Sequence, residues 1–395
     1  MTEKRYDVAI IGAGPAGSSA AIKLAEKGVR VALFEAQTFP HEKLCGEFLS
    51  PECKGLLREL GLIDAFLAMN PARINRARIT APDGEIWQTG LPGEAWGLSR
   101  KWLDAGLARH AQSLGVDLWE GNTVKNVAGN LAEGFQIEGH SPRRRFRVLS
   151  RAVIGAFGKR SALDRALGRD FVARSHPFLA LKAHFAGPAL SNRVELHAFP
   201  GGYCGLSEIE EDLRTVCMLV HLSVFRQNGG ARGNAVEKFI EWIQTQNGHL
   251  HAWFAHARKI QTDWISISQV PFVRKQVVVN DILMVGDSAA LFAPLIGDGI
   301  AAALEGGILL ADYVAECLNG TISAQALKSC YRAAWGRKFS GRLRLSSLLQ
   351  SIMLKPDWIS SGLRLLKMLP GIGGYLVQKT RGIDDHKFEN PTPTY

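Results

Sequence analysis

Hydrophobic positions change period twice within the first 35 residues. Tyr6 to Ile11 (YDVAII) is a continuous apolar run of strand length, Gly12-Ala13-Gly14-Pro15-Ala16-Gly17 interrupts it, and residues 18–27 are alanine-rich with helical spacing. Gly28 closes that helix, and residues 29–34 (VRVALF) return to a strand pattern ending at Glu35. The spacing predicts strand, glycine turn, helix and parallel strand. Further on, an extended loop with Pro40 leads into Lys43-Leu44-Cys45-Gly46-Glu47-Phe48-Leu49-Ser50-Pro51, followed by a helix over 52–60. Short strands are expected at 76–80 and 86–89, a helix from about 98 to 114, and strands at 116–119, 135–138, 146–149 and 152–156. From 171 to about 270 strands dominate (179–185, 193–199, 214–222), with one helix at 234–246. The α/β pattern resumes with a strand at 281–285, the string GDSAALFAPLIGDGI at 286–300, and a helix to 318.

This order predicts an α/β protein: a discontinuous Rossmann-like domain with a GxGxxG turn, an inserted antiparallel-sheet substrate domain and a C-terminal helical segment. The boundaries read as 1–70, 97–170 and 271–335 for the nucleotide domain, 71–96 and 171–270 for the substrate domain, and 336–395 for the tail. In the first unit Gly12 permits the tight turn, Gly14 leaves room for a pyrophosphate, and Gly17 lets helix and strand pack closely. Pro15 and Ala16 belong to the same turn and are counted with the glycines as cofactor-binding, and the first N–H groups of the helix that follows face the anion. Glu35, 18 residues beyond Gly17, is placed to accept from ribose hydroxyls.

Composition narrows the class. The chain has 395 residues, 46% hydrophobic and 21% charged, which excludes global disorder. No apolar run reaches the roughly 18 to 20 residues of a membrane span; the longest, at 299–314, is broken by Glu305 and Asp312. No leader pattern opens the chain, so a cytoplasmic location with reduced thiols is expected. Six cysteines without a CxxC pair argue against a zinc site, and no metal is expected.

The net charge of +10 is concentrated near the C-terminus: ten basic residues and one acid, Asp357, lie between Arg332 and Arg381. Leucines at 343, 345, 348, 349, 363, 365, 366 and 369, with Ile352, Met353 and Met368, recur among them at helical spacing. Two short amphipathic helices are expected, either packed on the body with a solvated basic face or docked through 336–381 on an anionic membrane or an acyl-carrier protein. No nucleic-acid-binding pattern accompanies the charge.

At this point the sequence resembles the FAD-dependent superfamily of para-hydroxybenzoate-hydroxylase-like monooxygenases, geranylgeranyl reductases and flavin-dependent halogenases. The likeness rests on the N-terminal GAGPAG with Glu35 and on the distant GDSAALFAPLIGDGI, and it spans residues 1 to about 335. The resemblance implies FAD, with Ala36, Lys43, Cys45, Arg100 and Gly158 near it. It also implies that Asp287, beside Gly286, holds the ribityl chain and that Pro294, Gly297, Asp298, Gly299 and Ile300 border the flavin. N–H groups of the helix from Gly299 face its pyrimidine edge and favour negative charge there.

One departure is Phe157-Gly158, where many relatives carry Asp-Gly. Direct NADPH use is therefore in question; NAD(P)H binding transiently or a separate reductase protein are the two sources of electrons. Cys45-Gly46-Glu47 resembles the cysteine loop of geranylgeranyl reductases, which makes Cys45 a candidate proton donor, with Glu47 an acid or orienting group, against a purely packed loop. The segment 199–205 resembles the glycine-rich stretch placed over the flavin, and Tyr203 is a candidate for the catalytic pocket. The other cysteines and the strand histidines His184, His197 and His221 read as structural. Trp264-Ile265-Ser266-Ile267-Ser268 lacks the second tryptophan of the halogenase WxWxIP motif.

The expected activity is that of an FAD-dependent oxidoreductase acting on a small hydrophobic, lipid-like or polyketide-derived substrate. Hydroxylation comes first, because soluble relatives commonly perform it. Reduction of carbon–carbon double bonds of a prenyl lipid is the alternative, and a non-catalytic flavoprotein is the third class.

Overall fold

The structure, a computed structural model, describes residues 4–229 and 234–381. The strand Lys4–Ile11 lies at the centre of the first sheet because Val8, Ala9 and Ile10 are apolar on both faces and wholly buried. It pairs in parallel with Val31–Phe34 on one side and Arg145–Gly155 on the other, with Asp117–Trp119 and Ile282–Met284 parallel beyond them. Residues 146–149 and 152–156, expected as two strands, form the single strand Arg145–Gly155, whose first half also carries the hairpin Thr123–Asn130 and Gly134–His140. Thr123–Asn130 escapes sequence reading because its outer face is polar and exposed.

Helix α1 (Pro15–Glu26) begins three residues earlier than the alanine pattern suggests, since Pro15 has the φ of a first helical residue and needs no N–H there. Gly12 has φ +104°, and a Cβ on it would sit 2.2 Å from the carbonyl oxygen of Ala156. A Cβ on Gly17 would sit 1.9 Å from the oxygen of Gly12, so both glycines are required by close approach. Helix α2 (Arg100–Ser113) and helix α3 (Gly299–Leu318) flank α1. The hydroxyl of Ser19 donates to the carbonyl of Leu304 at 3.1 Å, which pins α3 against α1.

Among the described residues the second sheet has nine strands, with Phe178–Ala186, Arg214–His221, Gly202–Glu208, Arg193–Phe199, Ala72–Thr80 and Ile86–Gly97 in that order. It departs from the expected antiparallel sheet at one joint: Arg193–Phe199 and Ala72–Thr80 run parallel. They come from separate chain segments, so no hairpin constrains their direction. Gly202–Glu208, expected to be a glycine-rich cover, is a strand inside the sheet. The pair Phe48–Leu49, from the segment assigned to 1–70, adds to the same sheet beside Ile86–Gly97.

The C-terminal expectation of two short helices is corrected. Residues 343–353 are the end of a 30-residue helix, α4 (Ala324–Met353), followed by α5 (Pro356–Met368) and α6 (Pro370–Lys379). The buried stripe over the last turns of α4 is Arg342, Ser346, Gln350 and Met353, while Leu348 is exposed. Polar partners elsewhere in the fold select that stripe, against the leucine pattern. Among the described residues no helix is long and apolar enough to cross a membrane.

Candidate active site

Three distant segments, the glycine turn, the Cys45 loop and residues 286–300, surround one cavity of about 910 Å³. Gly14 is the extended N-cap of α1, and no side chain caps the first turn. The orphan N–H groups of that turn therefore lie beside the cavity that Gly12, Gly14, Pro15 and Ala16 line. A Cβ on Gly14 would meet only Arg100 Nη2, at 3.5 Å, and Asp104 Oδ2, at 4.0 Å, so room for an anion is left. Gly17 does not line the cavity; it is the packing glycine.

Glu35, buried, also lines this end with its neighbour Ala36. Its Oε2 accepts from the N–H of Ala13 at 3.2 Å and its Oε1 from that of Gln37 at 3.3 Å. Lys43 lies 3.3 Å from Oε1 and itself faces the cavity.

On the opposite wall Gly286, Asp287, Pro294, Gly297, Gly299 and Ile300 line the space, and α3 starts there without a side-chain cap. Gly158, also a lining residue, donates its N–H to Ser288 Oγ at 2.9 Å and so ties the end of the central sheet to this wall. Lys275 donates to the carbonyls of Lys159 and Asp287, each at 2.7 Å. Burial pushes its pKa down to about 8.

Asp298, between Gly297 and Gly299, does not itself line the cavity. Its carboxylate is fully buried and turned away from the cavity onto Arg342, with Nε to Oδ2 at 2.9 Å and Nη2 to Oδ1 at 2.5 Å. Arg342 reaches Glu305 as well, at 2.8 Å. This cation, counted in the sequence as part of a basic face, is thus an internal clamp between α3 and α4.

Cys45 lines the cavity between the two walls, with the N–H of Glu47 donating to its Sγ at 3.4 Å. Arg100 lines the same cavity, and its guanidinium forks onto Asp104, Nε to Oδ1 at 2.7 Å and Nη2 to Oδ2 at 2.6 Å. Burial alone lowers the pKa of Arg100, but Asp104 outweighs it and the net shift is upward, so the cation is permanent.

Glu47, expected as an acid or an orienting group, sits among donors as an anion. It is fully buried, has φ 56°, and its carboxylate accepts from Lys182 Nζ at 2.5 Å, from the N–H of Arg100 at 2.9 Å, and lies 2.6 Å from His184 Nε2. Burial alone raises its pKa; the His184 bond and the Lys182 charge override that and hold it at about 2. The group is therefore an ionised anchor for the cysteine loop. Lys182 also reaches Glu42 at 2.7 Å, so its ammonium already stands between the two carboxylates that, with His184, resemble a metal-ligand set. Sequence reading left Lys182 out because its partners lie more than 130 residues away.

Tyr203 lines the cavity, but its hydroxyl is engaged: it accepts from the N–H of Leu295 at 3.1 Å and donates to Gln350 Oε1 at 3.3 Å. Burial raises its pKa further. Through these bonds it supports the turn Pro294–Ile296. Cys217, expected only to pack, also faces the cavity. Trp264 packs on Phe185, while Ile265 and Ile267 point to the cavity.

Two uncapped helix starts, a buried carboxylate at Glu35 and an open Gly14 fit FAD, which the start of α1, Glu35, Asp287 and the start of α3 would hold. Residues 5–335 match the family described as FAD binding domain. The chain belongs to that family. As a member it is an FAD-dependent oxidoreductase. Among relatives of this FAD-binding protein, the digeranylgeranylglycerophospholipid reductase of Methanosarcina acetivorans is 25% identical over 90% of this chain and 87% of its own. The menaquinone reductase of Mycobacterium tuberculosis is 27% identical over 87% and 84% respectively. The solved structure of the flavin-dependent brominase Bmp2 superposes with a TM-score of 0.78 at 20% identity, covering 96% of this chain and 94% of that one. That likeness establishes the shared fold.

Proposed function

We propose that this protein reduces carbon–carbon double bonds in the isoprenoid chain of a lipid. The supporting observation is the course of the cavity. Beyond Cys45 it continues as an apolar channel between the second sheet, with Ile79, Trp87 and Leu219, and the C-terminal helices, with Met353, Ile359 and Leu363. A long flexible hydrocarbon matches such walls by burial of apolar surface, with no polar groups to satisfy. Two relatives are named as reductases, and digeranylgeranyl lipids and menaquinone share isoprenoid chains.

When bound, FAD supplies a two-electron centre that serves reduction of a double bond or activation of oxygen. The chain's own contribution is placement and a proton. The Cys45 thiol stands at the junction of the flavin end and the channel, where it hands its proton to a substrate carbon. The N–H of Glu47, which donates to Sγ, orients the thiol at that junction. Glu47, held by Lys182 and His184, fixes the loop that carries the thiol. Phe157 lines the cavity where the resemblance expects Asp, which favours a separate electron donor over direct NAD(P)H use.

Hydroxylation is the second reading, favoured by the water-excluding channel that oxygen chemistry also requires. The test is incubation of chemically reduced holoprotein with a geranylgeranyl lipid, with and without oxygen. Gain of two hydrogens in the absence of oxygen, abolished in Cys45→Ala, supports reduction. Product only with oxygen, carrying one added oxygen atom, overturns it.

A further inference from the structure

Ten large hydrophobic side chains are exposed among the described residues, and seven of them fall between Leu348 and Tyr375. They lie on the end of α4, on α5 and α6, and on Leu369 between these two. Helix α5 has two apolar faces: Ile359 and Leu363 are buried against the channel, whereas Trp358, Leu365 and Met368 are 59%, 52% and 77% exposed. A helix that only packs on the body has no use for the second face.

Two observations identify what covers it. Leu365 and Ile372 are exposed and at the same time line the cavity, so the outer patch and the channel are one continuous apolar surface. The rim is rich in cations: Lys355, Arg364, Lys367 and Lys379 are exposed around it, against Asp357 on α5 and the Asp83–Glu85 turn that pairs with Arg364 and Lys367. Lys355 Nζ stands 4.4 Å over the Trp358 ring and Lys379 Nζ 5.7 Å over that of Tyr375. Amphipathic aromatic and lysine side chains bordering an aliphatic patch suit the boundary between headgroups and acyl chains.

We propose that α5 and α6 dock on an anionic lipid bilayer and that the mouth of the channel, bounded by Leu365 and Ile372, opens into it. A lipid chain then passes from bilayer to cavity without exposure to water. Arg364 and Lys367, which hold α5 to the Asp83–Glu85 turn (Arg364 Nη2 to Asp83 Oδ2 at 2.8 Å), lie at the edge of the same mouth. The docking stands whichever reaction the site performs, because it requires no turnover.

The test is flotation of the full-length holoprotein with phosphatidylcholine vesicles, with or without phosphatidylglycerol. Binding is expected to the anionic vesicles and to weaken about tenfold or more without the anionic lipid or in Lys355→Glu with Lys379→Glu. A second variant, Trp358→Ala with Met368→Ser and Tyr375→Ser, touches no cavity residue. It is expected to keep its melting temperature and bound-flavin spectrum and to lose vesicle binding. Wild-type flotation by that triple variant overturns the proposal, as does no binding to either vesicle. So does a sedimenting dimer, or a complex with an acyl-carrier protein, that the triple variant abolishes while vesicles remain unbound.

Discussion

Arg342, late in the sequence, and Asp298, at the start of α3, meet as a forked ion pair with no access to solvent at the carboxylate. The contact couples the C-terminal helices to the turn that borders the cavity. Removing the cation in Arg342→Met leaves a buried unpaired carboxylate, which costs about 3–5 kcal/mol. Denaturant unfolding is expected to show that loss together with weaker FAD retention. The double variant Arg342→Met with Asp298→Asn is expected to recover most of it; equal losses in both would argue against the pair as the cause.

Glu47 titrates at about 2 in the folded protein, against 4.5 for the free side chain. The folded state thus favours the ionised form, so this stabilisation is complete above pH 4.5 and disappears as pH falls toward 2. Its size is on the order of 3 kcal/mol. Unfolding of wild type and Glu47→Gln from pH 7 to pH 3 is expected to show a gap that narrows below pH 4.5. A gap independent of pH would remove the electrostatic explanation.

The two turn glycines are expected to fail differently. Gly12→Ala drives a Cβ into the Ala156 carbonyl and should impair folding. Gly14→Ala meets no protein atom closer than 3.5 Å, so the apoprotein should melt as wild type while FAD affinity falls at least about tenfold. Titration of apoprotein with FAD beside thermal melts separates the two.

Tyr203→Phe removes the acceptor for the Leu295 N–H and should cost about 1–2 kcal/mol of stability. Turnover is expected to stay within a few-fold of wild type, because the hydroxyl is spent on Leu295 and Gln350. A loss of a hundredfold or more in kcat with unchanged stability would return Tyr203 to the catalytic groups.

Much of the flavin end was legible because its determinants are local. The run from Tyr6 through Gly17 to Glu35 specifies strand, turn and helix within 30 residues, and residues 282–300 repeat the logic with a strand, a turn and an uncapped helix start. Close backbone approach and free helix N–H groups need only particular residues at particular spacings, so they leave a trace in one dimension. Asp298 shows the limit of that trace. The motif places it beside the flavin, but its side chain answers to Arg342, 44 positions later.

The sequence by itself determined the nucleotide-binding unit, the discontinuous α/β class and the basic, leucine-rich character of the C-terminal helices, since period and composition are properties of neighbouring residues. Only the tertiary structure decided that Lys182 and His184 lock Glu47 as an anion, that Tyr203 supports a turn, and that the last turns of α4 bury Arg342, Ser346 and Gln350. It also decided that Leu365 and Ile372 join an outer patch to the channel. The reason is the same in each case: the charge state of a buried group and the exposure of an apolar one depend on what the folded chain sets opposite them, and those partners lie far apart in sequence.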